Sequence, residues 1–263
     1  MEKVRSSDGT EIAFDRSGEG APIILVGGAI QHRAVDPRTS HLAALLAQRF
    51  TVFHYDRRGR GDSGDTEPYA VEREVEDLEA LVEEAGGSAF VYGMSSGAAL
   101  AVEAAARGVA ATKLALYEPP FMVDDGRART PDDFATRLSE LTSSGRRGDA
   151  LEYFLSEGPG IPGEVIAQMR SEPIWPAMES VAHTLVYDTT IMADQESLLA
   201  ERAPSVAAPA LVMDGGASPP WMHNAAQALA ERLPNSRRRT LEGQTHQAAP
   251  EALTPVLVEF FAA

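Results

Sequence analysis

A serine lies between two closely spaced glycines near the middle of the chain, in the pattern Gly93-x-Ser95-x-Gly97. This spacing is typical of a nucleophile elbow, a sharp turn from a strand into a helix that exposes the serine hydroxyl. An apolar, β-prone run precedes the serine and an alanine-rich, helical run follows it. Glycine tolerates the crowding at such a turn because it lacks a Cβ atom. The free N–H groups at the helix start favour a developing negative charge, so we predict that Ser95 is a nucleophile.

A serine hydroxyl is a poor nucleophile at neutral pH and needs a base within hydrogen-bonding reach. Among the six histidines, His246 lies in the loop between the last predicted strand and the last predicted helix. Because an open α/β sheet builds its site from loops at the carboxyl ends of its strands, His246 is the favoured base. His32 is the second candidate, since it follows the glycine pair after an earlier buried strand.

The composition limits the class of protein and of ligand. The 263 residues, of which 44% are hydrophobic, are enough for one large α/β domain with an insertion. The sequence has no cysteine, which excludes disulfides and thiolate ligands, and we expect neither a metal nor a cofactor. A net charge of −16 argues against nucleic acid and anionic lipid as partners and favours a small-molecule substrate. No apolar segment resembles a signal peptide or a membrane span, so we expect a cytoplasmic protein.

Strand-like and helix-like segments alternate along most of the chain. Strands are predicted at 3–6, 11–15, 22–26, 50–56, 89–92, 113–117, 210–214 and 237–241, and helices at 42–47, 71–85, up to about 107, 221–232 and 250–261. This alternation predicts a mostly parallel sheet with right-handed crossovers. The exception is the segment 121–206, which carries helical patterns without a convincing strand and is predicted to be a helical insertion.

Five features, in this order, make the chain resemble the α/β-hydrolase fold family. They are the Gly27-Gly28 loop after a buried strand, the run Tyr55-Asp56-Arg57-Arg58-Gly59-Arg60-Gly61-Asp62-Ser63-Gly64, the elbow at Ser95, the helical insertion, and Gly243-x-x-His246. The resemblance covers nearly the full length. It implies an eight-stranded sheet with helices on both faces, a core of residues 1–120 and 207–263, an α-helical cap of residues 121–206, and a nucleophile–acid–histidine triad.

The resemblance also implies an oxyanion hole. Two backbone N–H groups would bind the oxyanion, one from Ala29 and one from Ser96, the residue after the nucleophile. Family members commonly carry His-Gly after the third strand, and Gly27 takes the place of that histidine. Since the donors are backbone groups, we expect this change to affect loop packing more than chemistry. The predicted substrate contacts are Gly28, Met94 and Trp175.

The sequence leaves two candidates for the acid of the triad. Many relatives carry a Gly-x-x-Asp pattern after the seventh strand, but here Ser218 stands where that aspartate is expected. Glu118 follows the sixth strand, where a branch of the family that includes some haloalkane dehalogenases places its glutamate. Asp214 ends the seventh strand. We favour Glu118 and keep Asp214 as the alternative, because the histidine needs a carboxylate that holds its tautomer and balances its charge.

The predicted activity is hydrolysis of an ester, thioester or lactone through an acyl-enzyme on Ser95. Some of the aromatic and methionine side chains in the insertion are candidates to line an apolar pocket for a small hydrophobic substrate, while the helical spacing of most of them favours packing within the insertion. Two alternatives stay open: the same triad could support carbon–carbon bond hydrolysis, perhydrolysis or a tailoring cyclisation, or the scaffold could bind a small molecule without catalysis. A dinucleotide oxidoreductase is disfavoured because the first glycine-rich loop lacks the G-x-G-x-x-G pattern.

Overall fold

The computed structural model describes residues 1–126 and 129–263. In these residues one eight-stranded sheet has the order β1-β2-β4-β3-β5-β6-β7-β8. The strands are β1 (Glu2–Arg5), β2 (Glu11–Ser17), β3 (Pro22–Val26), β4 (Thr51–Tyr55), β5 (Ala89–Met94), β6 (Ala111–Tyr117), β7 (Ala210–Gly215) and β8 (Ser236–Leu241). The pairs β1–β2 and β2–β4 are antiparallel, and all other neighbouring pairs are parallel. The predicted mostly parallel, eight-stranded sheet is confirmed.

Helices cover both faces of this sheet. The helices of the described residues are α1 (Pro37–Leu46), α2 (Val71–Glu84), α3 (Ser96–Ala106), α4 (Phe134–Ser143), α5 (Arg147–Glu157), α6 (Gly163–Arg170), α7 (Trp175–Ser180), α8 (Leu185–Ala193), α9 (Gln195–Ser197), α10 (Pro220–Arg232) and α11 (Pro250–Ala262). Side chains of α1 and α11 pack on one face, and those of α2, α3 and α10 pack on the other. Among the described residues, no helix is both long and apolar enough to cross a membrane.

Strand β3 shows why the sheet is central. Its side chains alternate between the two faces, so Ile23 and Leu25 join the α1/α11 core while Ile24 and Val26 join the core on the other side. A strand covered on both faces needs an uninterrupted apolar sequence, which is what 22–26 provides.

The segment between β6 and β7 is helical wherever it forms regular structure in the described residues. It contains α4 to α9 and three short turns of 3₁₀ or π helix, at Ala182–Thr184, Leu198–Arg202 and Ala203–Ser205. Its helices bury their own apolar cluster, and Ala29 and Ile30 from the loop after β3 pack against that cluster. The insertion therefore contacts the loop that was predicted to bind the oxyanion. The division at 120 and 207, and the role of 121–206 as a cap, stay predictions.

Candidate active site

Ser95 occupies the turn between β5 and α3. Its backbone has φ 56° and ψ −128°, and a positive φ is uncommon for a residue with a side chain. The turn is held on both sides, since Ser95 N donates to Tyr117 O at 2.9 Å and Ser95 O accepts from Ala98 N at 2.9 Å. This strand–turn–helix geometry is the context that the elbow pattern requires.

The two glycines of the motif are needed because neighbouring backbone fills the space beside them. A Cβ atom on Gly93 would lie 2.6 Å from Gly97 O, and one on Gly97 would lie 2.5 Å from Gly27 O and closer still to Val26 O. Backbone atoms of a buried sheet cannot move aside at low cost. The elbow therefore packs directly against the end of β3 and the glycine loop that follows it.

We expect Gly97→Ala to lower the free energy of unfolding by about 2 to 3 kcal/mol, because the added methyl overpacks a rigid backbone contact. Urea unfolding measures this change. The matched control is Gly163→Ala, because a Cβ atom at Gly163 meets nothing within 4 Å; there we expect no loss, or a gain of up to about 1 kcal/mol. A Gly97→Ala protein as stable as the Gly163→Ala protein would contradict the described packing.

His246 and Glu118 form a hydrogen-bonded pair. His246 Nδ1 lies 2.7 Å from Glu118 Oε2, and the other carboxylate oxygen accepts from Gly215 N at 2.7 Å. Glu118 directly follows β6 and is fully buried, whereas the His246 side chain is 33% exposed. Bonding of Nδ1 to a carboxylate favours the tautomer whose Nε2 can accept a proton.

Tyr117 connects this pair to the nucleophile turn. Its backbone oxygen accepts from Ser95 N, and its hydroxyl donates to Thr245 O at 2.5 Å. Tyr117 also pairs in register with Met94, so Ser95 and Glu118 follow equivalent positions on neighbouring parallel strands. The carboxyl ends of β5 and β6 and the loop after β8 are thereby assembled into one site.

Asp214, the alternative acid, has different partners. Its buried carboxylate bonds with His223 Nδ1 at 2.5 Å, Arg238 Nε at 3.0 Å and Thr240 Oγ1 at 3.1 Å. Strand alternation explains this, because Asp214 shares its face of β7 with Val212, which packs on the α10 side of the sheet. The geometry brings Glu118, and not Asp214, to His246.

The glycine loop after β3 lies against the nucleophile. A Cβ atom on Gly28 would lie 2.9 Å from Ser95 Cβ, and Gly28 N donates to Gln31 Oε1 at 2.5 Å. In the part of the chain that the structure describes, Ala29 N donates to no acceptor. Ser96 is the first residue of α3, so its N–H has no acceptor within the helix. These are the two N–H groups that the sequence predicted as oxyanion donors.

Backbone strain marks the same region. In residues 1–126 and 129–263, the three non-glycine residues with positive φ are Ile30 (57°), Ser95 (56°) and Glu118 (45°). Such conformations cost roughly 1 to 3 kcal/mol each and persist where the surrounding structure enforces them, typically at functional sites. The sequence gives no warning of the strain at Ile30 and Glu118, because neither residue type favours this conformation.

The other residues predicted for the site are Met94, Trp175 and His32. Met94, next to Ser95, is partly buried with its sulfur 3.8 Å from Gln31 Nε2. Trp175 is 4% exposed inside the apolar cluster of the insertion, so its burial gives it a packing role and its contact with substrate stays a prediction. His32 is buried with neither ring nitrogen bonded among the described residues, and burial lowers its pKa.

The basic run after β4 is buried, which the sequence did not indicate. Arg57 pairs with Glu74 at 2.6 Å, Arg58 with Asp77 at 2.7 Å, and Arg60 with a carboxylate of the insertion. The acids at 74 and 77 share one face of α2, which is the signal in the sequence that could have revealed the pairing. Across the described residues, no group of three or more histidine, aspartate or glutamate side chains is arranged to bind a metal ion.

Comparison with known proteins adds to this geometry. The family model described as "Alpha/beta hydrolase family" matches residues 23–255. The crystal structure of an alpha/beta hydrolase from Sphaerobacter thermophilus DSM 20745 is 58% identical, with a TM-score of 0.92 over 99% of this chain and 100% of that chain. No curated protein matches.

Two more distant solved structures share the fold. A thermophilic esterase from Thermogutta terrifontis is 23% identical, with a TM-score of 0.71 over 99% of this chain and 97% of that chain. The enol-lactonase from Burkholderia xenovorans LB400 is also 23% identical, with a TM-score of 0.72 over the whole of both chains. At this identity the likeness extends to the architecture only.

Proposed function

The chain belongs to the alpha/beta hydrolase family, and from that premise we propose that it hydrolyses an ester, thioester or lactone through an acyl-enzyme on Ser95. The observation that carries the proposal is the hydrogen bond between His246 and Glu118 beside the strained Ser95 turn. A nucleophile, a base and a buried carboxylate at adjoining strand ends are the three parts that acyl transfer by serine requires.

In the first step, Ser95 Oγ attacks the substrate carbonyl carbon and its proton passes to His246 Nε2. Glu118 accepts the Nδ1–H hydrogen bond and balances the charge of the imidazolium that forms. The carbonyl oxygen becomes an oxyanion, which the backbone N–H groups of Ala29 and Ser96 stabilise. Collapse of this intermediate expels the alcohol or thiol, which takes its proton from His246.

In the second step, a water molecule enters the site. His246 Nε2 removes a proton from the water as its oxygen attacks the acyl carbon, and the same oxyanion donors act again. Cleavage of the bond to Ser95 Oγ releases the carboxylic acid, and the proton on His246 returns to the serine. For a lactone, the alcohol expelled in the first step remains attached to the acyl group.

The side chains around the site favour a small apolar acyl group. Met94 precedes Ser95 in the chain, and Ala29 follows Gly28, which lies against Ser95; both Met94 and Ala29 are partly buried and apolar. A site bordered by such groups binds through apolar contact, with the oxyanion donors fixing the orientation. Two of the solved structures that share the fold are named as an esterase and an enol-lactonase, and the bonds in those names belong to the class proposed here.

A panel of p-nitrophenyl esters of graded acyl-chain length tests the proposal. We expect the wild-type protein to hydrolyse at least the shorter esters and Ser95→Ala to hydrolyse none above the background rate. Equal rates for the two proteins would contradict an acyl-enzyme on Ser95. A reactive serine that hydrolyses no ester of the panel would instead favour carbon–carbon hydrolysis or cyclisation by the same triad.

A further inference from the structure

A buried arginine bonds to the peptide group that supplies one proposed oxyanion donor. Arg60 Nη1 donates to Gly28 O at 2.5 Å. The carbonyl of Gly28 and the N–H of Ala29 belong to the same planar peptide, and in a trans peptide they point in opposite directions. A charge-assisted bond at the oxygen therefore fixes the direction of the N–H and polarises it as a donor.

Asp188, on helix α8 of the insertion, holds this arginine in place. Its almost fully buried carboxylate accepts from Arg60 Nη2 at 2.7 Å, Arg57 Nη1 at 2.8 Å and Ser96 Oγ at 2.7 Å. Burial opposes ionisation, but the two guanidinium groups hold the pKa of Asp188 below its usual value. Arg57 Nη1 also lies 3.3 Å from Gly27 O, so both glycine carbonyls receive an arginine.

The second proposed donor is fixed by the same carboxylate. Ser96 N–H belongs to the peptide that begins with Ser95 C=O, and Ser95 O accepts from Ala98 N at 2.9 Å at the start of α3. The Ser96 hydroxyl donates to Asp188. Asp188 therefore contacts Ser96 directly, 92 positions away in sequence, and reaches the Gly28–Ala29 peptide through Arg60.

We propose that Asp188 is a positioning residue for the oxyanion hole: through Arg60 and through the Ser96 hydroxyl it orients the Ala29 and Ser96 N–H groups toward the developing oxyanion. This inference rests on the proposed function. It also gives the insertion a part in the reaction, because displacing α8 would release Arg60 and Ser96 together. Removing one oxyanion donor lowers kcat by about 10² to 10³-fold. Turning the donors away from the oxyanion should lower kcat by part of that factor.

Asp188→Asn tests the proposal, since it keeps the shape of the side chain and removes the negative charge that pairs with Arg60. The measurement is the second-order rate constant for labelling by a fluorophosphonate, whose phosphoryl oxygen needs the same donors, together with kcat and KM for the best ester. We expect the labelling rate constant and kcat to fall about tenfold or more. We expect KM to stay within about threefold of the wild-type value, because the oxyanion donors stabilise the transition state and not the bound substrate.

Asp77→Asn is the matched control. Asp77 is equally buried and pairs with Arg58 of the same loop, at 2.8 and 2.7 Å. The change removes one of the two carboxylate partners of buried Arg58, which keeps Asp8 at 2.9 Å, and so lowers stability. Asp77 lies outside the chain of contacts to Gly28 and Ser96. We expect its thermal unfolding midpoint to fall while labelling stays near the wild-type rate. Equal labelling rates for Asp188→Asn and Asp77→Asn would overturn the proposal.

If Asp188→Asn does not fold, a second pair of variants tests the same proposal. Ser96→Ala removes only the hydroxyl that donates to Asp188, and Arg60→Lys replaces the fork of two nitrogens that bond Gly28 O and Asp188 with a single ammonium nitrogen. We expect both variants to be labelled more slowly than Asp77→Asn, and labelling of either variant at the wild-type rate would overturn the proposal.

The Ser95→Ala protein separates this proposal from the proposed function. If Ser95→Ala is labelled like wild type, the proposed function itself fails. If Ser95→Ala is inert and the other variants label normally, only this inference fails.

Discussion

Ser95→Ala is expected to abolish covalent labelling by a fluorophosphonate and to lower ester turnover by up to about 10⁶-fold, the order of effect seen when a triad nucleophile is removed. The reason is that the alanine has no oxygen to attack the carbonyl, while the rest of the elbow remains in place. In-gel detection of a fluorescent probe measures labelling, and p-nitrophenol release measures turnover.

Ser218→Ala is the matched control for this change. Ser218 is also buried, and its hydroxyl has no partner among the described residues, so its removal breaks no hydrogen bond of the site. We expect this protein to label like wild type. Labelling of Ser95→Ala at the wild-type rate would show that another residue is the nucleophile.

Glu118→Gln is expected to lower kcat by about 10⁴-fold, with a smaller effect on KM. The amide keeps the shape of the side chain but removes the charge that stabilises the imidazolium. Its NH₂ group can also donate to His246 Nδ1, which favours the tautomer that carries its proton on Nε2 and cannot act as the base. Steady-state kinetics on the best ester of the panel measures the loss.

Asp214→Asn separates the two carboxylates. Because Asp214 bonds with His223, Arg238 and Thr240, we expect its replacement to lower stability and to slow turnover by less than about tenfold, well below the cost of losing a triad acid. Larger losses in Asp214→Asn than in Glu118→Gln would reverse the assignment of the acid.

The sheet could be predicted because its sequence signals are local. The apolar run 22–26 coincides with β3, and Gly93 and Gly97 mark a turn with no room for a Cβ atom at those two positions. His246 could also be predicted, because its place after the last strand puts it at the carboxyl edge of the sheet. These inferences need only periodicity and chain order.

The sequence could not decide between the two candidates for the acid of the triad. Glu118 and Asp214 both follow apolar strand residues, and only the observed alternation of β7 and the path of the 242–249 loop show which one meets His246. The strained backbone of Glu118 is a second reason, because a positive φ at glutamate is not encoded by the residue itself.

The contact between the buried arginines and the insertion could not be predicted from the sequence. Charged residues are rarely buried unless they are paired, and the carboxylate that Arg57 and Arg60 share is that of Asp188, 131 and 128 positions away. Nothing in the local pattern links these positions. They come together because the insertion folds back onto the start of α3, so the pairing is a property of the tertiary structure.

The central claim is that Ser95 carries the acyl group during turnover, and acid quenching with mass spectrometry tests it most directly. Wild-type protein is mixed with its best p-nitrophenyl ester, quenched during the first turnover, digested and analysed. We expect a peptide containing Ser95 whose mass has increased by one acyl group in place of a hydrogen, and no such peptide from Ser95→Ala. An acyl group on another residue, or steady turnover by Ser95→Ala at the wild-type rate, would contradict it.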